Sequence, residues 1–228
     1  MQSRAMVLQA VKQFAKEIGA PKAIICDHSG EQGSAKVREF GFNIGTSLRF
    51  MEEGTPWANK SELYIGIFKE SIRIDMKESN SPMVLWNYCV KWWARINNLT
   101  GKNLFQLHRT TPYTSLTFEE GDISNLCQFG WYQWCYYREH GASFPFNKEV
   151  LGRVLGPAKG EGNELSQWIL KANSRVVPRR TCRPLKISEI NSPTEIKKRE
   201  VFTQLIQSKL GDSINPPKLD PFDENVDQ

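Results

Sequence analysis

The sequence predicts an α/β chain, α+β overall. Mixed helices and strands fill residues 1–110, a small antiparallel β-barrel-like module follows over 111–185, and a polar tail covers 186–228. Three observations predict it. Helical and strand-like runs alternate in the first part. Short aromatic and β-branched runs with Gly- or Asn-containing turns crowd the second. Polar and acidic residues dominate from Lys186 on.

Taken in order, Val7, Leu8, Val11, Phe14, Ala15 and Ile18 recur at helical spacing over residues 4–18, with Gly19 and Pro21 as stop signals. Residues 22–26 are apolar and too brief for a helix, so they predict a buried strand ending at Asp27. A short helix over 34–42 and an alternating strand over 46–51 follow, and Gly54-Thr55-Pro56 breaks the pattern. Residues 59–78 carry a long helical pattern through Leu63, Ile67 and Ile74. A second helix starts at Pro82, a first-turn proline, and runs to about Ile96. Breaks at Gly101, Pro112 and Gly121 place a boundary near residue 110. Beyond it, 129–137, 150–155, 166–170 and 175–185 predict strands. Val201, Leu205, Ile206 and Leu210 predict a helix over 193–210, and Asn215-Pro216-Pro217 with Asp220-Pro221 predict disorder after it.

Composition narrows the function. No run approaches the roughly 18 apolar residues of a spanning helix, and the N-terminus shows no apolar signal segment. Five scattered cysteines without a Cys-x-x-Cys pair suit neither a disulfide scaffold nor a zinc knuckle, so nucleus or cytoplasm is the expected location. The +5 charge is uneven: residues 1–110 hold 15 basic and 10 acidic residues, whereas 186–228 hold 6 and 8. A basic first half suits a polyanion partner without demanding one.

The carboxylates Asp27 and Glu62 stand at informative places. One ends a buried strand and the other opens a later helix, 35 positions on. Two such groups can converge on Mg²⁺, a hard ion that prefers oxygen ligands, and two-metal sites of this kind serve phosphoryl transfer. Plainer roles exist for both. Asp27 before His28-Ser29-Gly30 suits a turn, and Asn59-Lys60-Ser61-Glu62 suits a helix capping box.

These residues resemble a family. Asp27-His-Ser-Gly-Glu31 and Thr55-Pro-Trp-Ala-Asn59-Lys-Ser-Glu62 look like the second Asp and the Glu of a copia-type LTR-retrotransposon integrase, a transposable-element enzyme. Phe14 to Asp27, Thr111-Pro-Tyr113, Phe129-Gly-x-Tyr132, Gly152-Arg-Val-Leu-Gly156, Trp168-Ile-Leu170 and Val176-Val-x-Arg-Arg-Thr181 resemble further segments, so the likeness covers about residues 5–185. It implies a partial RNase H-like core that binds Mg²⁺ or Mn²⁺ through Asp27 and Glu62. It also implies DNA, both element ends and target, as partner, and DNA integration by strand transfer in the complete protein. His28 and Lys60 depart from the family's usual Asn and Gly. No Asp precedes Asp27, so the first member of the family's Asp, Asp, Glu triad is absent. The expectation is an N-terminally truncated core, inactive alone, with an unpaired edge on the 22–26 strand that promotes homo-oligomers.

Lys69 and Arg73 share a helix face with Glu62 and Gly66, and with Lys60 they are the expected phosphate contacts. The opposing reading is a solvated face trading weak pairs with Glu70. The aromatics Trp86, Trp92, Trp93, Trp131, Tyr132, Trp134, Tyr136 and Tyr137 fit core packing better than base stacking. Arg179-Arg180 with Arg183 reads as a phosphate patch or an exposed strand. The second reading of function is a non-catalytic nucleic-acid-binding or assembly module derived from a retroelement. The third is a globular interaction protein whose likeness to the family is a chance match.

Overall fold

The computed structural model describes residues 4–26, 34–51, 60–101, 107–139, 148–158 and 165–211. The chain divides into two compact units, Met1–Ile67 and Phe68–Gln228.

The first unit holds α1 (Arg4–Ile18), β1 (Ala23–Cys26), α2 (Ala35–Asn43), β2 (Ser47–Phe50) and the start of α3 (Lys60–Glu78). Gly19, at φ +103°, lets its own N–H close α1 onto the Ala15 carbonyl at 3.0 Å. β1 and β2 pair in parallel, Ala23 opposite Ser47 through Cys26 opposite Phe50. A parallel pair cannot be joined by a tight turn, and α2 is the crossover that joins this one. It lies close on β2, because a Cβ on Gly41 would stand 3.3 Å from the Thr46 carbonyl oxygen. Thr46 donates its hydroxyl to the Pro21 carbonyl at 2.7 Å and fixes the strand entrance. Cys26 and Val37 are buried, yet Ile25, between its β1 neighbours, is 67% exposed. Among the described residues the outer edge of β1 has no partner strand.

The second unit takes the rest of α3, a 3₁₀ turn (Met83–Leu85), α4 (Trp86–Leu99), α5 (Pro112–Thr117), α6 (Ser124–Cys127), β3 (Trp134–Arg138), β4 (Glu149–Pro157), β5 (Gln167–Leu170), β6 (Val176–Arg179), β7 (Cys182–Pro184), α7 (Ile187–Asn191) and α8 (Pro193–Leu210). The five strands form one antiparallel sheet in the order β6-β5-β4-β3-β7. Its two edge strands are consecutive in the chain and separated only by Arg180 and Thr181. Three peptide steps span about 10 Å at most, so the sheet must curl until its edges approach. The side chains agree: Phe129, Cys135, Tyr137, Val154, Ile169 and Val177 form one cluster inside the curl, and Cys182 from the opposite edge packs on it. Gly152 makes that curl fit, since a Cβ there would stand 2.6 Å from Ile169 Cγ2 and 3.1 Å from Tyr137 Cδ1.

The alternate side chains point outward. Tyr136, Leu151, Leu155, Leu170 and Val176 join Tyr88 and Cys89 of α4 and Phe202, Ile206 and Leu210 of α8 in a larger core.

Several expectations change here. The β module is curled, but among the described residues no ladder joins β6 to β7, so it is an open sheet and not a closed barrel. The aromatic run 129–137 starts its strand only at Trp134, because Trp131 and Tyr132 form a turn, with Tyr132 at φ 54°. The single strand expected over 175–185 is two strands on opposite edges. The 186–210 part of the polar tail is two helices. α8 has the expected limits, but Phe202 replaces Val201 and Leu205 on its packed face. Residues 212–228 lie outside the described residues. The two compact units part at Ile67/Phe68, and α4 packs on β4 within the second.

Candidate functional site

The candidate N-terminal carboxylates stand, along the chain, at a strand end and a helix start. β1 finishes at Cys26, so Asp27 is the next residue, but Asp27 itself lies outside the described residues. α3 begins at Lys60, which puts Glu62 at the third helical position, in the first turn, with an exposed side chain. That position serves a cap equally well, where a carboxylate also complements the positive end of the helix dipole. Lys60 is the first helical residue, and no more is described of it. The order strand, carboxylate, helix, parallel strand, helix with carboxylate matches the sequence expectation. The approach of Asp27 to Glu62 lies outside the described residues. Among those residues no three His, Cys, Asp or Glu side chains gather where they could hold a metal ion. Of the two expected ligands only Glu62 is described, so these residues do not test how an Mg²⁺ or Mn²⁺ ion would fit.

Lys69 and Arg73 are exposed on α3. Arg73 Nη1 meets Glu70 Oε2 at 3.0 Å, with both side chains more than 60% exposed. An exposed i,i+3 pair of this kind is weak and screened by salt, so a phosphate could displace it at little cost. Space around Gly66 is open, since a Cβ there would meet nothing within 4 Å. Later acidic residues have local roles. Asp75 Oδ2 accepts the Trp93 indole N–H at 2.7 Å, and burial raises its pKa. Asp122 accepts the Ser124 backbone N–H at 2.8 Å.

The cations of the curled sheet are largely committed to carboxylates. Arg183 Nη2 meets Glu149 Oε2 at 2.6 Å and its Nη1 meets Glu189 Oε2 at 2.8 Å, which disfavours the phosphate-patch reading of this arginine. Those hydrogen bonds, with the Lys186 backbone N–H, hold the Glu189 carboxyl down at about 2. Glu139 accepts from Lys171 at 3.0 Å and lies 3.8 Å from Arg179 Nη2, while the Tyr137 hydroxyl donates to its other oxygen at 2.9 Å. The Tyr136 hydroxyl donates to Glu195 and ties β3 to α8. Arg180 is exposed.

Most of the aromatics are core, as their spacing suggests. Trp131, Tyr132, Tyr136 and Tyr137 are buried and Trp92, Trp93 and Trp134 are partly buried, whereas Trp86 is 58% exposed. Sequence reasoning passed over Arg153. Its guanidinium lies over the rings of Tyr132 and Trp134, 4.4 and 3.4 Å from their centroids. The signal was present: a lone cation in the apolar run Val150–Leu155 must either face solvent or find a built environment.

No family model matches the chain, and no curated protein matches it. Among solved structures it is similar to a chain of a simian T-cell lymphotropic virus intasome determined by cryo-electron microscopy in complex with PP2A regulatory subunit B56 gamma. The TM-score is 0.43 and the identity 12%, over 82% of this chain and 66% of that one. At that distance the likeness carries no functional argument. No helix among the described residues is long and apolar enough to cross a membrane.

Proposed function

We propose that this chain is an integrase-related fragment of a copia-type retroelement that binds DNA through phosphate contacts. One observation carries the reading: β1 and β2 pair in parallel around a helical crossover, Asp27 directly follows β1, and Glu62 opens α3. In this reading Asp27 and Glu62 are two of three carboxylates that hold Mg²⁺ or Mn²⁺, an ion that would supply charge neutralisation at a transferring phosphate. Lys69 and Arg73, two and three turns along α3, neutralise neighbouring phosphates, and Lys60 adds charge at the helix start. Such contacts hold nucleic acid in place without reading its sequence. With only two of the three carboxylates, the 228-residue chain binds DNA but does not nick or join it.

The test is DNA binding as a function of salt, together with a strand-transfer assay in Mg²⁺ and in Mn²⁺. Affinity should fall steeply with salt, and Lys69→Ala with Arg73→Ala should lessen the slope on every DNA sequence alike. Salt-independent binding, or none, would favour the unrelated interaction protein. Metal-dependent joining by this chain, lost on Asp27→Asn, would show that another group completes the site.

A further inference from the structure

Two exposed apolar surfaces of the second unit carry opposite charge. The first is the stretch from the end of α5 to the start of α6. Leu116, Phe118 and Ile123 are exposed there, Phe118 at 91%. Glu119, Glu120 and Asp122 are exposed among them, and Glu119 and Glu120 enter no ion pair among the described residues. The loop is tied down on both sides of the phenyl. Phe118 sits at φ 61°, a strained place for a bulky residue, and its N–H closes α5 on the Thr114 carbonyl at 2.9 Å. The Thr117 hydroxyl donates to the Tyr113 carbonyl at 2.9 Å and accepts the Glu119 N–H at 3.2 Å. Gly121 packs so closely that a Cβ there would overlap Leu99 Cδ2. Strain that presents a phenyl to water gains no packing within the chain, and residues held this way cluster where proteins bind. The second surface is the outer face of α8. Phe202, Ile206 and Leu210 face the core, which leaves Val201 and Leu205 exposed. Lys197 and Lys198 lie one turn before Val201, and Lys209 one turn after Leu205, all three exposed. Lys198 also reaches Glu195 at 2.7 Å. Glu200 lies about 100° round the helix from Val201, off this face.

We propose that these two surfaces bind each other between copies of this chain, the Phe118 loop of one copy seated on the Val201 and Leu205 face of α8 of another. Phe118 is 91% exposed in the single chain, so the two surfaces do not meet within one copy. In the contact apolar atoms cover apolar atoms. The carboxylates of the loop meet the lysines of the helix, which fixes the orientation of the copies. A phenyl held in place before binding loses little freedom on docking. Both patches are small, so the association is transient and grows with concentration. The contact uses neither the β1 edge nor α3, and this inference does not depend on the integrase reading.

Sedimentation velocity of the full chain over a concentration series is the test, with Ile25→Thr in every chain so that the β1 edge contributes least. The mean mass should rise with concentration at low salt, and less in about 0.5 M NaCl, where the charges are screened. Phe118→Ser should weaken the association about tenfold or more, and so should Val201→Ser with Leu205→Ser. Where the parent is half associated, each variant alone then stays monomeric. Mixed in equal amounts, the two should associate again, because the first keeps an intact α8 face and the second an intact loop. Glu119→Lys with Glu120→Lys repeats the test on the loop without touching an apolar group, so the outcome does not hang on one variant folding. A parent chain that never associates, variants that associate as the parent does, or a mixture that stays monomeric would overturn the proposal.

Discussion

In the N-terminal unit Cys26 and Val37 are the buried apolar side chains among the described residues, while nine large ones stand exposed, from Met6 on α1 to Ile67 on α3. In the C-terminal unit the sheet is apolar on both faces and both are covered, by its own curl on one side and by α4 and α8 on the other. Parallel strands normally lie buried on both faces, and two strands alone are marginal. Among the described residues the N-terminal unit thus has the strand type that needs most cover and shows the least.

The largest effect should come from crowding the curl. Gly152→Val places methyls where Ile169 and Tyr137 already sit, and should destabilise the second unit by about 3 kcal/mol in urea unfolding. An unchanged midpoint would mean that the sheet is too flat to bring those side chains together.

Acid should act next, again on the second unit. Glu189 is held down at about 2 from an ordinary 4.5, and Glu139, Glu149 and Glu195 are lowered too. A depressed carboxylate contributes stability above its unfolded pKa and loses it as pH falls through the folded one. The thermal midpoint should therefore drop between about pH 4.5 and pH 2. In Glu189→Gln it should be lower at neutral pH and fall less on acidification.

The first unit should respond differently. Ile25→Thr exchanges an exposed strand residue beside an edge that has no partner strand among the described residues. It should leave the unfolding midpoint within about 0.5 kcal/mol. It should also raise the monomeric fraction seen by light scattering, because exposed apolar strand edges promote association. A large loss of stability would show that Ile25 is covered in solution. The smallest effect is the salt slope of DNA binding. In Lys69→Ala with Arg73→Ala it should fall by up to about 0.9 for each phosphate no longer neutralised.

The sequence made the helices of the first unit and its two strands readable within a residue or two. Their apolar period was clear, and Gly19, Gly54 and the prolines marked the breaks. It was misleading where tertiary pairing decides. Nothing local in Arg175–Leu185 says that the chain crosses from one sheet edge to the other at Arg180-Thr181. Val201 and Leu205 are as apolar as Phe202 and Ile206, so the packed face of α8 was ambiguous until the sheet supplied a surface. Glu62 was readable as the third residue of α3 because Asn59-Lys60-Ser61-Glu62 is a local signal. The surroundings of Arg153 were hidden because they join Tyr132, Trp134 and β4 through strand register. Arg183 stayed open between a phosphate patch and an exposed strand because its partners Glu149 and Glu189 are 34 and 6 residues away.

Everything proposed for the N-terminal unit requires that Asp27 and Glu62 face one another. A crystal of the full chain soaked in Mn²⁺ tests this most directly, through the anomalous peak of the metal. The expected result is a peak with one oxygen each from Asp27 and Glu62 within about 2.2 Å, as a hard divalent ion requires, and its loss in Glu62→Gln. Carboxylates on opposite faces of the N-terminal unit, with Glu62 turned back onto the Asn59 amide as a helix cap, would contradict it.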